Sequence, residues 1–229
     1  AVVVLRGPRG DAGEKGVEAV IVMPANVTSP EVRGLMHEFP GMLGNLFSPG
    51  AWQAPHGIYA LDNGRFSARG LEWSERAWLK LIDKAAEHSR RPEWVLCPDV
   101  VGDWRTTMGE WDKWSGRLRE TGWGVAVAVQ DGATPEDVAA MHPNVVFVGG
   151  TTRWKLQTME MWCKTFPRVH VARVNTVARA MRCFDAGAES IDGTGWMRTT
   201  RQRKLLRATL DLMSGRSPRP LLLWEGIWS

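Results

Sequence analysis

The sequence predicts one α/β domain, a compact (β/α)8 barrel of the TIM type, from three observations. Short apolar runs alternate strictly with helix-like segments at a spacing of roughly 20–35 residues, which is typical of parallel β/α architecture. About seven or eight such units favour a closed barrel over an open sheet. The length of 229 residues suits a single domain spanning 1–229, and the glycine motifs of dinucleotide-binding and P-loop folds are absent.

The strand and helix signals follow one another in order along the chain. Apolar runs typical of strands lie at 18–23, 57–61, 94–97, 124–129, 144–148, 168–172 and 189–191, with a weaker eighth candidate at 220–224. Helix signals lie after Ser74, at 108–118, from Thr134 onward, and at 152–164, 177–184 and 199–213. Residues 1–16 predict a loose arm, and the stretch 24–56, rich in glycine and proline, predicts a long functional loop.

Composition narrows the class of protein. Apolar residues at 44% and charged residues at 24% are ordinary globular values, so disorder is not expected. Thirteen Trp accompany one Tyr, which packing in the core explains, and stacking surfaces for bases are the alternative. Cys97, Cys163 and Cys183 lack C-x-x-C spacing, and no apolar run is long enough for a signal peptide or a membrane span. We therefore expect a cytoplasmic protein without disulfides, bound metal or membrane contact.

The positive charge is concentrated near the end of the chain. The net charge is only +4, yet residues 197–219 hold a single acid, Asp211, among many bases. The bases are Arg198, Arg201, Arg203, Lys204, Arg207, Arg216 and Arg219. A basic helix over 197–219 would suit a polyanion such as nucleic acid, and a solvated helix face is the alternative.

Polar side chains follow four of the predicted strands, at the point where each strand ends. They are Asp62, Asp99, Gln130 and Asp192. In barrels of this kind, the carboxyl ends of the strands form the active-site face. Three carboxylates and an amide therefore predict a polar site. Asp103 and Asp131 are weaker candidates, and His170, inside a strand, is expected to be a core histidine with satisfied hydrogen bonds.

Asp192 and Asp62 are candidates for a pair of catalytic carboxylates. Asp192 precedes Gly193-Thr194-Gly195, where glycines allow a sharp turn and leave the carboxylate open to a substrate. In glycosyl transfer, one carboxylate attacks C1′ and the other moves protons on the leaving group. Each Asp is also suited to capping a helix or a turn.

The remaining candidates suit recognition of a purine. The carboxylate of Asp99 can accept from N1–H and the amino group of guanine, and the amide of Gln130 can donate to a carbonyl oxygen. Gly149 and Gly150 would leave backbone N–H groups open to a flat ligand, although an ordinary strand-to-helix turn also explains them. Phe66 offers an apolar face for stacking.

In this order, the segments resemble the tRNA-guanine transglycosylase superfamily over about residues 57–200. Residues 61–66, Leu-Asp-Asn-Gly-Arg-Phe, resemble its D-S-G-G-F/Y segment, which implies proton transfer by Asp62 and base stacking by Phe66. Pro98-Asp99, Val129-Gln130-Asp131-Gly132 and Phe147-Val148-Gly149-Gly150 resemble its base-reading segments. Residues 189–192, Glu-Ser-Ile-Asp, lie where the family has its nucleophilic Asp.

The chain departs from the tRNA enzymes at several positions. Asn63 and Arg65 replace the Ser and the second Gly of the first motif, and residues 192–198 replace the family's D-x-x-x-P-T-R. No cysteine follows Cys183, so the zinc-binding insertion that helps to engage tRNA is lacking. The short zinc-free form is similar to the phage DNA-guanine transglycosylases, which put 7-deazaguanines such as 7-cyano-7-deazaguanine into DNA.

The resemblance implies base exchange in DNA through a covalent Asp192–sugar intermediate, without a cofactor. The expected partners are DNA, single- or double-stranded, and a free 7-deazaguanine base, with a homodimer as a further candidate and the host cytoplasm as location if phage-encoded. Arg198, Arg201 and Arg203 would hold phosphates. The alternatives are the same exchange on tRNA, a catalytically silent nucleic-acid-binding subunit, and a retaining glycosidase with Trp196 and Trp104 as sugar platforms.

Overall fold

Eight short parallel strands form a nearly closed barrel in the computed structural model, which describes residues 20–66 and 73–217. The strands are β1 (Ile21–Pro24), β2 (Gly44–Phe47), β3 (Ile58–Leu61), β4 (Trp94–Leu96), β5 (Gly124–Val129), β6 (Val145–Val148), β7 (Val169–Val171) and β8 (Ser190–Gly193). The helices within the described ranges are α1 (Pro30–Glu38), α2 (Glu75–Ala86), α3 (Trp104–Arg119), α4 (Pro135–Met141), α5 (Thr152–Thr165), α6 (Val177–Ala186) and α7 (Thr200–Met213).

The strands follow the order of a barrel, with each strand parallel to its neighbours. The sheet runs β1-β8-β7-β6-β5-β4-β3-β2, so its two edges are β1 and β2. These edges meet through bridges that pair Val22 with Leu43 and Ala25 with Leu46. The N–H of Val22 also donates to the carbonyl oxygen of Met42 at 2.9 Å. The predicted (β/α)8 barrel is therefore confirmed.

Alternate residues of β1 to β6 belong to two different hydrophobic cores. Ile21, Leu46, Leu96, Ala126 and Phe147 belong to a cluster made of strand and strand-end residues, which fills the barrel interior. Their strand neighbours, such as Val22 and Val127, instead join the larger cluster that includes the inward faces of the helices. Small alanines in β5 leave interior room, because their side chains fill little of the barrel.

Every described helix begins at a side chain that caps its first turn. These caps are Ser29, Ser74, Asp103, Thr134, Thr151, Thr176 and Thr199, each accepting a backbone N–H three residues later. Such caps satisfy N–H groups that otherwise have no partner within the helix. They explain why the predicted helix starts agree with the observed ones after several of the strands.

The prediction of a long loop over 24–56 is wrong. Residues 30–38 form α1, opened by Ser29 with Pro30 in its first turn, and residues 44–47 form β2. The strand was not predicted because the segment Gly44-Asn45-Leu46-Phe47 is short and begins with Gly and Asn, which are uncommon in strands. Gly44 is required there, since a Cβ would lie 2.8 Å from the carbonyl oxygen of Ile58.

Several terminal predictions fall outside the described residues. The arm at 1–16 and the weak eighth strand at 220–224 both lie there, as does the end of the predicted basic helix at 197–219. Its described part contains α7, Thr200–Met213. No helix in the described ranges is long and apolar enough to cross a membrane.

The described tryptophans pack into the protein. Trp78, Trp94, Trp162 and Trp196 are among its most deeply buried side chains, and the others are buried or half-buried. Trp78 packs edge-on against Trp114 with ring centroids 5.1 Å apart. Packing therefore accounts for these indoles, and in the part of the chain that the structure describes they do not form an exposed stacking surface.

Candidate active site

A cavity of about 100 Å³ opens at the carboxyl ends of the strands. A cavity of roughly 10–15 Å³ holds one water molecule, so this cavity has room for a small ring system. Its lining residues are Ala25, Asn26, Leu46, Ser48, Asp62, Asn63, Phe66, Leu96, Asp99, Val101, Gln130, Phe147, Gly149, Gly150, Ala172, Arg173, Asn175, Asp192 and Thr194. The four predicted strand-end residues all belong to this set, together with Phe66 and the glycine pair.

Asp192 is held at the end of β8 by donors from β7 and the residues after it. Its Oδ1 lies 3.0 Å from Nε2 of His170 and accepts the backbone N–H of Arg173 at 3.1 Å. A side chain at Gly193 would meet the carbonyl oxygen of Val174 at 2.4 Å. Glycine therefore allows the chain to pass close by and leaves Asp192 on the cavity wall.

Asp62 lies across the cavity in an environment that favours its protonated form. Burial, and next the negative charge of Asp192, raise the pKa of Asp62 above its ordinary value. The hydroxyl of Ser48 donates to its Oδ2 at 3.0 Å and partly opposes that shift. The geometry thus brings a carboxyl group that favours its protonated form into the same cavity as a second carboxyl group, an arrangement suited to acid–base and nucleophilic chemistry.

Asp99 accepts one hydrogen bond on each oxygen. Asn63 Nδ2 donates to its Oδ1 at 2.7 Å, and Gln130 Nε2 donates to its Oδ2 at 2.6 Å. Burial raises the pKa of Asp99 to about 6. A carboxylate has about four lone-pair sites, so Asp99 keeps acceptor capacity toward a ligand. Asn63 thus fixes the orientation of Asp99.

The glycine pair is required by its surroundings. Gly150 has a φ of +66°, and a Cβ on it would lie 2.6 Å from Oδ2 of Asp131 and from the ring of Trp154. A Cβ on Gly149 would meet Nε2 of Gln130 at 2.9 Å. Glycine therefore brings the backbone against the cavity.

The two N–H groups of this pair already have acceptors in the protein. The N–H of Gly149 donates to the carbonyl oxygen of Val129 at 3.0 Å. The N–H of Gly150 donates to Oε1 of Gln130 at 2.9 Å. A ligand that uses these donors, as expected from the sequence, would have to displace those bonds.

Phe66 and Arg173 form the mouth of the cavity. Phe66 is 47% exposed, and the guanidinium of Arg173 lies 4.6 Å from the centre of its ring. Arg173 also donates to the carbonyl oxygen of Gly150 and has a left-handed φ of +57°. Such a backbone conformation is costly for a residue other than glycine and is concentrated at functional sites.

The predicted basic cluster divides into paired and open residues. Arg203 pairs with Glu31 at 2.9 Å, and Arg207 binds both oxygens of Glu38. Arg198 donates to the hydroxyl of Thr194 on the cavity wall at 3.0 Å. Arg201 is exposed and has no acidic partner within 20–66 and 73–217. Arg198 and Arg201 are therefore better placed for phosphates than Arg203.

Other sequence candidates have structural roles. Asp103 caps α3, and its hydrogen bond to the Thr106 hydroxyl holds the pKa of its carboxyl below the ordinary value. Asp131 accepts both the N–H and the hydroxyl of Thr151. Trp104 and Trp196 are buried, so the structure does not provide the sugar platforms that the glycosidase alternative predicts.

Sequence reasoning missed several residues of the site. Ser48 and Asn26 lie in the stretch that was expected to be a loop, and Asn26 Oδ1 accepts the N–H of Ser48 at 2.8 Å. Ser190 lies two residues before Asp192 on β8, so it shares the same face of the strand, and that spacing was the signal available. Lys155 lies behind the cavity wall, where its Nζ donates to the carbonyl oxygen of Ala172, and it gave no signal because α5 carries it outside the strand pattern.

No group of three or more His, Cys, Asp or Glu residues in the described ranges is arranged to hold a metal ion. No protein-family model matches this chain, and no curated protein sequence matches it. The function is therefore inferred from the motifs and from the geometry of the cavity.

Proposed function

We propose that this protein is a DNA-guanine transglycosylase that exchanges guanine in DNA for a free 7-deazaguanine base. The observation that carries the proposal is that Asp62 and Asp192 share one small cavity, with the pKa of Asp62 raised by burial and by the charge of Asp192. A proton-carrying carboxyl beside a second carboxylate is what an exchange at a sugar carbon needs.

The chemistry divides between the two carboxylates. Asp192 attacks C1′ of the target nucleotide, the bond from C1′ to the base breaks, and guanine takes a proton from Asp62 as it leaves. The entering base then gives its N9 proton to Asp62 and attacks C1′, and the carboxylate of Asp192 is released. One glycosidic bond is broken and one is formed, so neither ATP nor a redox partner is needed.

The other cavity residues suit recognition of the purine. The free lone pairs of Asp99 accept from N1–H and the amino group of guanine. Gln130 and the backbone of Gly149 and Gly150 line the cavity beside that edge of the base, and Phe66 provides a stacking face. Because C1′ is inaccessible in stacked duplex DNA, the target nucleotide has to be extruded or already single-stranded, at a cost of a few kcal/mol. Phe66 and Val101, both exposed and both lining the cavity, offer apolar surface to such an extruded base.

The charge near the mouth supports nucleic acid as the partner. Arg198 and Arg201 lie at the start of α7, directly after the segment that carries Asp192. Phosphates of flanking nucleotides would contact these side chains, and their binding would weaken as salt rises. We take DNA as the substrate because residues 192–198, Asp-Gly-Thr-Gly-Trp-Met-Arg, differ from the D-x-x-x-P-T-R segment of the tRNA enzymes.

The test is incorporation of radiolabelled guanine into DNA and, separately, into tRNA, with wild type and Asp192→Asn. Label in DNA alone, lost in the variant, is the expected result. Label in tRNA would transfer the same chemistry to RNA. If the protein binds DNA but label enters neither DNA nor tRNA, the result would contradict an enzymatic function and favour the catalytically silent nucleic-acid-binding subunit. Asp211→Asn, on α7, is the matched control and should retain full incorporation.

A further inference from the structure

We propose that His170, held by Ser190, is the positioning residue that makes Oδ2 of Asp192 the attacking atom. This inference rests on the proposed function, in which Asp192 attacks C1′. It assigns a role to two buried residues that the exchange mechanism above does not use. It also specifies which of the two carboxylate oxygens bonds to the sugar.

The first support is a continuous chain of polar groups inside the barrel. Ser190 Oγ lies 2.8 Å from Nδ1 of His170, and Nε2 of His170 lies 3.0 Å from Oδ1 of Asp192. His170 and Ser190 are also partners in the register between β7 and β8. Since Ser190 and Asp192 are two residues apart on β8, both side chains point to the imidazole.

The second support is that the imidazole cannot easily turn away. His170 is 0% exposed and stacks on Phe147, with ring centroids 4.8 Å apart and planes 13° apart. Trp94 packs edge-on against it at 5.0 Å. The two aromatic side chains also contact each other, with ring centroids 6.0 Å apart. Packed into this buried cluster of three rings, the imidazole has little room to rotate, so its nitrogens stay directed toward Ser190 and Asp192.

The third support is the asymmetry of Asp192 itself. Oδ1 receives both the imidazole and the backbone N–H of Arg173, whereas the described residues form no hydrogen bond to Oδ2. Two donors on one oxygen prevent the carboxylate from rotating, and the other oxygen remains available to the cavity. The same two donors lower the electron density on Oδ1, which leaves Oδ2 as the better nucleophile.

The hydrogen-bond network assigns the tautomer of His170. An ionised Asp192 only accepts hydrogen bonds, so Nε2 carries the proton and donates it to Oδ1. Nδ1 then accepts from the hydroxyl of Ser190. In this arrangement both imidazole nitrogens and Oδ1 of Asp192 have hydrogen-bond partners, as buried polar groups generally do.

The experiment measures the rate of covalent protein–DNA adduct formation in a single turnover at saturating DNA, with no free base added. His170→Phe keeps the aromatic stack and removes both nitrogens, and we expect the rate to fall about 100-fold, since a small misplacement costs that much. In a parallel DNA titration, the DNA concentration that gives half of the maximal rate should not change. His170→Gln restores a donor near the position of Nε2 and should recover about tenfold of the loss.

Two further variants separate positioning from general damage to the fold. Ser190→Ala should slow adduct formation by about tenfold, because the imidazole loses its anchor but keeps its donor. Tyr59→Phe removes another buried hydrogen bond, from the Tyr59 hydroxyl to the carbonyl oxygen of Arg90 at 2.7 Å, outside the cavity. This control should keep the wild-type rate even if its melting temperature falls as much as that of the His170 variants.

The proposal is overturned if His170→Phe forms adduct within twofold of an active wild type, or if His170→Gln is as slow as His170→Phe. The ¹⁵N NMR spectrum of wild-type His170 provides a test that needs no activity. A proton on Nε2 supports the assignment, and a proton on Nδ1 overturns it. Absence of adduct in wild type, with the proton on Nε2, would instead contradict the transglycosylase function and leave the orientation of Asp192 supported.

Discussion

The side-chain amide of Gln130 joins Asp99 to two backbone segments. Its Nε2 donates to Oδ2 of Asp99 at 2.6 Å, and its Oε1 accepts the N–H groups of Gly102 at 3.0 Å and Gly150 at 2.9 Å. One side chain at the end of β5 thereby links the segments that follow β4 and β6. A site braced in this way is organised before a ligand arrives, which lowers the entropic cost of binding.

Binding of free guanine should weaken as the pH falls through about 6. Burial raises the pKa of Asp99 to about 6, so the carboxylate is ionised above that pH and protonated below it. Only the ionised form accepts from both N–H groups of the base edge. We expect the dissociation constant to be about tenfold higher at pH 5 than at pH 7, measured by calorimetry. An affinity that stays constant over this range would remove Asp99 from base recognition.

Ser48→Ala should move the pH profile of exchange to higher pH. The Ser48 hydroxyl donates to Oδ2 of Asp62 and lowers the pKa of that carboxyl, so its removal raises the pKa further. If Asp62 supplies the proton to the leaving base, the alkaline limb of kcat/KM shifts upward. Ser115→Ala, which alters a buried serine on α3, is the control and should leave the profile in place.

Arg201→Ala should reduce the salt dependence of DNA binding, whereas Arg207→Ala should not. Arg201 has no acidic partner among the described residues, while Arg207 is bound to Glu38. Each lost phosphate contact lowers the slope of log K against log salt by about 0.9 on duplex DNA or about 0.7 on a single strand. Mobility-shift titrations at several salt concentrations give these slopes. Equal slopes for wild type and Arg201→Ala would place the phosphates elsewhere.

Lys155 should make folding stability rise with pH above about 8. Burial, and next the charge of Arg173, lower the pKa of Lys155 to about 8, below its ordinary value of 10.5. Between these values the unfolded chain binds more protons than the folded protein, so the free energy of unfolding increases as the pH rises. Lys155→Met should abolish this increase in urea titrations at pH 7.5 to 10. A variant with the same slope as wild type would contradict the assignment.

The barrel was predictable because its signals are local. Apolar runs such as Val125–Val129 are strongly patterned, and caps such as Thr134 mark helix starts with chemistry contained in a few residues. Strand β2 at 44–47 was not predicted because its signal is not local. A glycine is needed at position 44 because the neighbouring strand β3 passes too close for a side chain. That close approach belongs to the tertiary structure and leaves no pattern in the nearby sequence.

The order of residues along the chain determined the fold class and the polar positions at the strand ends, including Asp62, Asp99, Gln130 and Asp192. Only the tertiary structure decided what surrounds them. Burial and the charge of Asp192 raise the pKa of Asp62, and the packing of His170 against Phe147 and Trp94 directs the imidazole to one oxygen of Asp192. Electrostatic effects and side-chain orientation depend on neighbours that are distant in sequence, so they emerge only when the barrel closes.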